Sequence, residues 1–205
     1  MTVIALVLIL TAYLMGSICV AIPVCKLMGL PDPRSQGSKN PGTTNVLRIG
    51  GKKAALLTLA GDSLKGVIPV IVAQLLGVES FSLGLVALAA FLGHLYPIFF
   101  GFEGGKGVAT GFGVVFALAW PLGLLLVGIW SLMALIFRYS SLAALTAFAL
   151  APLICFWLPW DGVMIWRDYT LPMAVLSSLL IYRHQGNIEK LRNGSESKIG
   201  QKKNA

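Results

Sequence analysis

The chain is a succession of long apolar runs separated by short polar connectors, and this pattern restricts its fold more than any motif does. The first run, Val3 to Leu30, contains a single cation, Lys26. Inside a bilayer every backbone N–H and C=O must be satisfied by the spanning structure itself, so only helices and closed barrels can cross. The runs lack the alternation of barrel strands and approach the about 20 residues a helix needs to cross. An all-α, polytopic helical membrane protein is therefore expected. Composition agrees, with 57% hydrophobic and 12% charged residues and a mean hydropathy of +0.82, against about 25% charged in soluble domains. The length of 205 residues suits one membrane-embedded domain over 1–205, ending in a flexible basic tail over 193–205. No basic residue precedes the first run, so it reads as a retained span rather than a signal peptide.

Charge distribution sets the expected orientation. The connector from Pro31 to Lys53 carries Arg34, Lys39, Arg48, Lys52 and Lys53 against Asp32 alone, which places it in the cytoplasm and the N-terminus outside. The next span, about Ala54 to Leu76, ends at the cation-free connector Gly77-Val78-Glu79-Ser80, and Phe81 to Phe100 returns the chain to a cytoplasmic Gly101–Gly107 loop. Net charge is +8, which on a membrane protein points to anionic lipid and metabolites; no aromatic-and-basic patch argues for nucleic acid. Cys19, Cys25 and Cys155 lie in apolar stretches without metal or disulfide spacing and read as small buried hydrophobes.

Val108 to Phe137 would be about 45 Å long as continuous helix, too long for one crossing of about 30 Å without strong tilt. Pro121 offers a break, giving short helices Val108 to Ala119 and Leu122 to Phe137. Ser140 to Trp157 then goes out, Leu158 to Tyr169 lies at the outer interface with Trp160, Trp166 and Tyr169, and Leu171 to Tyr182 comes back. That makes seven transmembrane helices with Arg138 inside. The alternative keeps Val108 to Phe137 as one tilted span and Leu171 to Tyr182 as interfacial, giving five crossings with Arg138 outside. Both end with Arg183, Lys190, Arg192, Lys198, Lys202 and Lys203 in the cytoplasm, and ring enrichment at interfaces favours seven.

Three polar clusters fall on one membrane face in either count. The first is Gly37-Ser38-Lys39-Asn40-Pro41-Gly42-Thr43-Thr44-Asn45 with Arg48; Asn40-Pro41-Gly42 is turn chemistry, but the density of donors, with Ser38, Asn40, Thr43, Thr44, Asn45 and Arg48 within eleven positions, also suits a small anion. The second, Gly104-Gly105-Lys106-Gly107, fails the nucleotide pattern GxxxxGK[ST], because Phe100 replaces the first glycine and Gly107 the hydroxyl residue. Its glycines, its cation and the helix that follows still favour phosphate, unless it is only a basic flank with packing glycines. The third is His184 with Asn187, three apart and on one face of a continuing helix. Asp62 and Lys65 share that spacing and read as a local ion pair easing their burial, although ionisable groups in apolar helices are also functional candidates. His94 can be a hydrogen-bonded packing residue.

In combination and order these clusters resemble the PlsY family of bacterial membrane glycerol-3-phosphate acyltransferases, which use acyl phosphate as donor. The family's first loop reads close to GSGNPGATN followed by arginine, here Gly37 to Asn45 with Arg48. Its second matches Gly104 to Thr110, preceded by Gly93-His94 and Pro97. Its third resembles His184, Asn187 and Ile188, continuing to Leu191, Gly194 and Glu196. Lys39 replaces the usual glycine, Thr43 an alanine, Glu103 a frequent lysine and Lys190 a frequent arginine.

The resemblance implies acyl transfer from acyl phosphate to the sn-1 hydroxyl of glycerol 3-phosphate, giving lysophosphatidate and phosphate, with membrane lipids as surroundings and no cofactor or metal. It implies Ser38 and Arg48 at the reacting carbonyl, His184 and Asn187 on the acceptor, and His184 as a candidate base, histidine's ordinary pKa being near neutral. Asn40, Gly42, Thr44, Asn45, Gly104, Gly105, Lys106, Gly107 and, more weakly, Ser141 would bind substrate or phosphate, with Asp62, Lys65 and Glu196 structural. A competing class is a transporter for a small organic phosphate, built on broken helices. That class predicts paired halves and mid-membrane polar groups, whereas no internal repeat is visible and the clusters share one face.

Overall fold

The computed structural model describes residues 1–157 and 167–201. The expected interfacial placing of Trp160 and Trp166 and the tail cations Lys202 and Lys203 lie outside the described residues. Among the described residues the secondary structure is helical without strands, and the chain divides into two compact units, Met1–Leu118 and Ala119–Ala205.

In the first unit α1 (Val3–Gly16) and α2 (Ala21–Leu27) follow one another across a short break with a bend of 41°. The break has a local cause. Pro23 has no N–H to give the carbonyl of Cys19, and its ring crowds that carbonyl, so a helix cannot run through 17–20. Ser17 fills part of the gap, its Oγ donating to the Tyr13 carbonyl at 2.8 Å. α3 (Thr43–Leu75) is interrupted at Gly51, whose φ of 74° and ψ of −171° separate a polar N-terminal part from the apolar remainder. The structure thus makes helix of 43–50, which the sequence reading left in the connector; Gly51 supplies the left-handed residue that breaks it.

α4 (Ser80–Leu95) packs on α1, and α5 (Val108–Leu118) packs on α3. Both contacts are backbone-close. A Cβ at Gly93 would stand 2.8 Å from the Gly16 backbone, and one at Gly66 would stand 2.5 Å from the Thr110 carbonyl. Lipid chains are as apolar as leucine, so membrane helices gain by letting small residues bring backbones together.

In the second unit α5's successor begins immediately: Ala119 leaves the helical region at φ −154°, ψ 86°, and α6 (Trp120–Phe137) starts with Pro121 in its first turn. The expected break at Pro121 is therefore present. Proline is tolerated there because first-turn N–H groups have no helical partner. α7 (Ser140–Trp157) presents Ala143, Ala144, Ala147 and Ala151 to α8 (Thr170–Arg183) and other neighbours, and Ser177 Oγ donates to the Phe148 carbonyl at 2.6 Å. His184 then turns the chain into the short α9 (Gln185–Arg192).

Among the described residues four helices are long and apolar enough to cross a membrane, five if α1 with α2 counts as one span; Val108–Leu118 and Thr170–Arg183 are shorter. The distribution of polarity is inverted relative to a water-soluble protein. Leu27, Leu75 and Leu135 are 86%, 81% and 79% exposed, while Asn45, Thr58, Asp62, Lys65 and His94 are buried. Water would penalise both features, and lipid rewards both.

Candidate active site

The first loop is organised by one side chain. Asn45, in the first turn of α3 and 1% exposed, accepts from the Ser38 N–H through Oδ1 at 2.8 Å. Its Nδ2 donates to the carbonyls of Pro33 at 2.8 Å and Gln36 at 3.1 Å. Asn45 thus has its amide committed to the loop, and Gly37, at φ +62°, approaches so closely that a Cβ would strike Asn45 Oδ1. Ser38 has its N–H held and is itself exposed. Lys39 adopts φ +57°, a left-handed conformation that suits the glycine of the family pattern.

Asn40 lies against Gly42, which N-caps α3, and Gly42 N–H donates to the Asn40 carbonyl at 2.9 Å. Thr44 and Arg48 are exposed on the polar part of α3. Ahead of the loop, Asp32 accepts from the Arg34 backbone N–H and from its Nε and Nη2, at 2.8, 3.1 and 2.8 Å. The Asp32 carboxyl is held below its usual value chiefly by these side-chain hydrogen bonds. Arg34 is correspondingly raised, first by Asp32 and further by the charge of Glu103 in the second loop.

The second loop lies on the last turn of α4. Gly105 N–H donates to the His94 carbonyl at 3.2 Å. A Cβ at Gly104 would reach 2.6 Å from the Leu95 carbonyl, and one at Gly107, itself at φ +82°, would reach 2.7 Å from Leu95 Cδ1. The glycines are therefore required by close approach to α4, whatever they do for a ligand. Lys106 is half-buried between them, and α5 opens directly after Gly107, so the positive end of a helix lies at the loop.

In the second unit His184 is buried at the α8–α9 junction. Its Nδ1 lies 2.8 Å from the Leu180 carbonyl. A carbonyl only accepts, so Nδ1 carries the proton and Nε2 is the basic nitrogen of the neutral ring. Asn187 N–H donates to the His184 carbonyl at 2.8 Å, and Asn187 Nδ2 donates to Glu196 Oε1 at 2.7 Å. The same oxygen accepts from Ser141 Oγ at 2.6 Å. One carboxylate thus joins α7, α9 and the segment beyond, a link that sequence spacing could not reveal because Ser141 and Glu196 are 55 positions apart.

Asp62 and Lys65 are buried in α3 with Lys65 Nζ 2.9 Å from Asp62 Oδ1. Thr110, which the sequence reading did not single out as a site residue, bonds both the Asp62 carbonyl and His94 Nδ1; a lone hydroxyl in an apolar helix carries no sequence signal. Among the described residues no group of three or more His, Cys, Asp or Glu could hold a metal ion.

These features define a helical integral-membrane protein with hydroxyl, amide and cationic side chains gathered at the loops and ends of apolar helices. The glycerol-3-phosphate acyltransferase family model matches residues 6–194. Proteins named glycerol-3-phosphate acyltransferase from Shewanella sp. (strain W3-18-1) and Shewanella oneidensis are 52% and 51% identical over 198 residues, covering 97% of this chain and 94% of theirs. Two crystal structures of PlsY (YgiH), an integral membrane glycerol 3-phosphate acyltransferase, are also similar. Its glycerol 3-phosphate form gives TM-score 0.87 at 43% identity and its lysophosphatidic acid form 0.85 at 42%; each covers 96% of this chain, and 96% and 95% of their own. The chain belongs to the glycerol-3-phosphate acyltransferase family, and it is an acyltransferase enzyme.

Proposed function

We propose that the protein transfers an acyl group from acyl phosphate to the sn-1 hydroxyl of glycerol 3-phosphate, releasing lysophosphatidate and phosphate at the cytoplasmic face of a bacterial inner membrane. One observation carries this reading: the match over 96% of the chain to an enzyme with both a glycerol 3-phosphate form and a lysophosphatidic acid form. Those molecules differ by one acyl group on a hydroxyl, hence are acceptor and product of one acylation. The transporter reading has no support from the matched relatives, which are named as acyltransferases.

The roles are those the family motif implies, read onto the geometry above. In the first unit the Ser38 hydroxyl and Arg48 stabilise charge developing at the donor carbonyl, while Asn40, Gly42, Thr44 and Asn45 shape and brace that loop. Gly104, Gly105, Lys106 and Gly107, with the start of α5, bind phosphate. In the second unit His184 Nε2 takes the acceptor proton. Asn187 orients the acceptor, and Glu196 fixes Asn187 and Ser141. The hydroxyl oxygen bonds to the carbonyl carbon, and the bond from that carbon to the phosphate oxygen breaks. Phosphate leaves with the electron pair and takes up a proton in place of the one the hydroxyl lost. Because acyl phosphate is already activated, direct transfer needs no acyl-enzyme at Ser38.

Seven crossings are supported by a clamp in the second unit. Ile199 N–H donates to the Arg138 carbonyl at 2.7 Å, and Arg138 Nη2 donates to the Ile199 carbonyl at 3.1 Å. Five crossings would set Arg138 and the tail on opposite faces. A cysteine replacing Arg138 should then label from the same side as one replacing Ser195, and labelling from opposite sides would restore five. The basic connectors favour the cytoplasm for that face.

The function itself is tested with purified protein in detergent, acyl phosphate and labelled glycerol 3-phosphate. Acylated product is expected, with Ser38→Ala strongly reduced; no product from the parent protein refutes the reading. An acyl group trapped on the protein without acceptor would replace direct transfer by a covalent route.

A further inference from the structure

Beneath the second loop lies a polar network that the reaction scheme leaves unused. Asp62, Lys65, His94 and Thr110 are at most 5% exposed and come from α3, α4 and α5. Lys65 Nζ reaches Asp62 Oδ1 at 2.9 Å and donates to the Ile18 carbonyl, in the break between α1 and α2, at 2.7 Å. Thr110 Oγ1 donates its single hydrogen to the Asp62 carbonyl at 2.8 Å. The 3.0 Å contact between Thr110 Oγ1 and His94 Nδ1 must therefore be donated by the histidine. Asp62 Oδ1, 3.6 Å from Nδ1, favours a proton there. Buried ionisable groups are costly in a membrane, and apolar residues would pack these helices without them.

The network ends at the loop. With Nδ1 fixed, the other edge of the imidazole is turned to Gly105. A Cβ there would collide with Nε2 and stand 3.1 and 3.2 Å from Cε1 and Cδ2. Gly105 N–H also bonds the His94 carbonyl, and Thr110 holds the first turn of α5 on the loop's far side. We infer that His94 is a positioning residue for phosphate binding: its imidazole, clamped by Thr110, Asp62 and Lys65, is the surface that sets the height of Gly105 and, through it, of Lys106. This rests on the reading of the Lys106 loop as a phosphate site.

Purified full-length variants should be assayed for the KM of glycerol 3-phosphate, the KM of acyl phosphate and thermal unfolding. His94→Asn keeps an N–H where Nδ1 stood and removes the ring from Gly105. It should unfold near the parent temperature yet raise one phosphate-substrate KM on the order of tenfold or more, since misplacement of about 1 Å costs up to 10²-fold. Gly105→Ala should do the same in the parent and be milder beside His94→Ala, where the obstructing ring is gone. Lys106→Gln is the reference. If it raises a KM while His94→Asn changes neither, or if Gly105→Ala costs the same in both backgrounds, the positioning role is overturned. If Lys106→Gln also changes neither KM, the phosphate-loop reading itself fails.

Discussion

Asn45→Asp tests the organisation of the first loop with almost no change in shape. Asparagine uses one acceptor and two donor hydrogens here, at 2.8, 2.8 and 3.1 Å. Aspartate keeps the bond from Ser38 N–H but turns an oxygen to the carbonyls of Pro33 and Gln36. Leaving the buried Pro33 carbonyl unpaired costs about 1–3 kcal/mol and losing the part-buried bond to exposed Gln36 up to about 1 kcal/mol, while the strengthened Ser38 bond returns about 1 kcal/mol, for a net of up to about 3 kcal/mol. The loop can open without the helices unfolding, so the cost should appear as local opening rather than global melting. At about 1.4 kcal/mol per tenfold, protection of the Ser38 amide should fall by up to roughly 10²-fold. Hydrogen exchange of a peptide spanning 34–42 measures this, and initial acyl-transfer rates should fall with it. Parent-like protection together with parent-like rates would refute the claim that Asn45 holds Ser38 in place.

Lys39→Gly should stabilise the protein, because the left-handed conformation costs an L-residue about 1–2 kcal/mol and glycine's looser unfolded state returns about 0.4–1 kcal/mol of that; a melting temperature about 2–4 °C higher checks it. Asn187→Asp sets a carboxylate against Glu196 and should lower the acyl-transfer rate more than Asn187→Ala, an order that kinetic assay of the two reads directly. Asp32, with its folded pKa below the ordinary 3.8, contributes stability above that value that is lost as pH falls through the folded pKa. Because Asp32 and Arg34 are 39% and 36% exposed at the side chain, this amounts to less than about 1 kcal/mol, and Asp32→Asn should flatten the unfolding profile by no more than that as pH falls from the ordinary value of 3.8 through the lowered folded pKa.

The helical plan was legible because spanning a bilayer leaves few alternatives, and Pro121 marked its own break by lacking an N–H. The start of α3 at Thr43 was not legible, since Thr43, Thr44, Asn45 and Arg48 have loop composition and only Gly51 hints where a helix would be interrupted. Motif matching found the residues of the first loop but not their division of labour. Ser38 and Asn45 look equivalent as hydrogen-bonding side chains, yet one is exposed and the other buried with its amide committed. The i, i+3 spacing brought Asp62 and Lys65 together on paper; the partners from α4 and α5 depend on which helix faces pack, which periodicity alone does not encode.

The seating of the second loop on α4 has a consequence for redesign. Gly104, Gly105 and Gly107 each meet His94, Leu95, Pro97 or Phe91 at distances that leave no room for a side chain. A library that randomises all four positions of Gly104 to Gly107 would spend most of its members on chains whose helices no longer close. Diversity placed instead at Glu103 and Lys106, which already carry side chains, would alter the charge offered to a ligand without adding a Cβ to that contact.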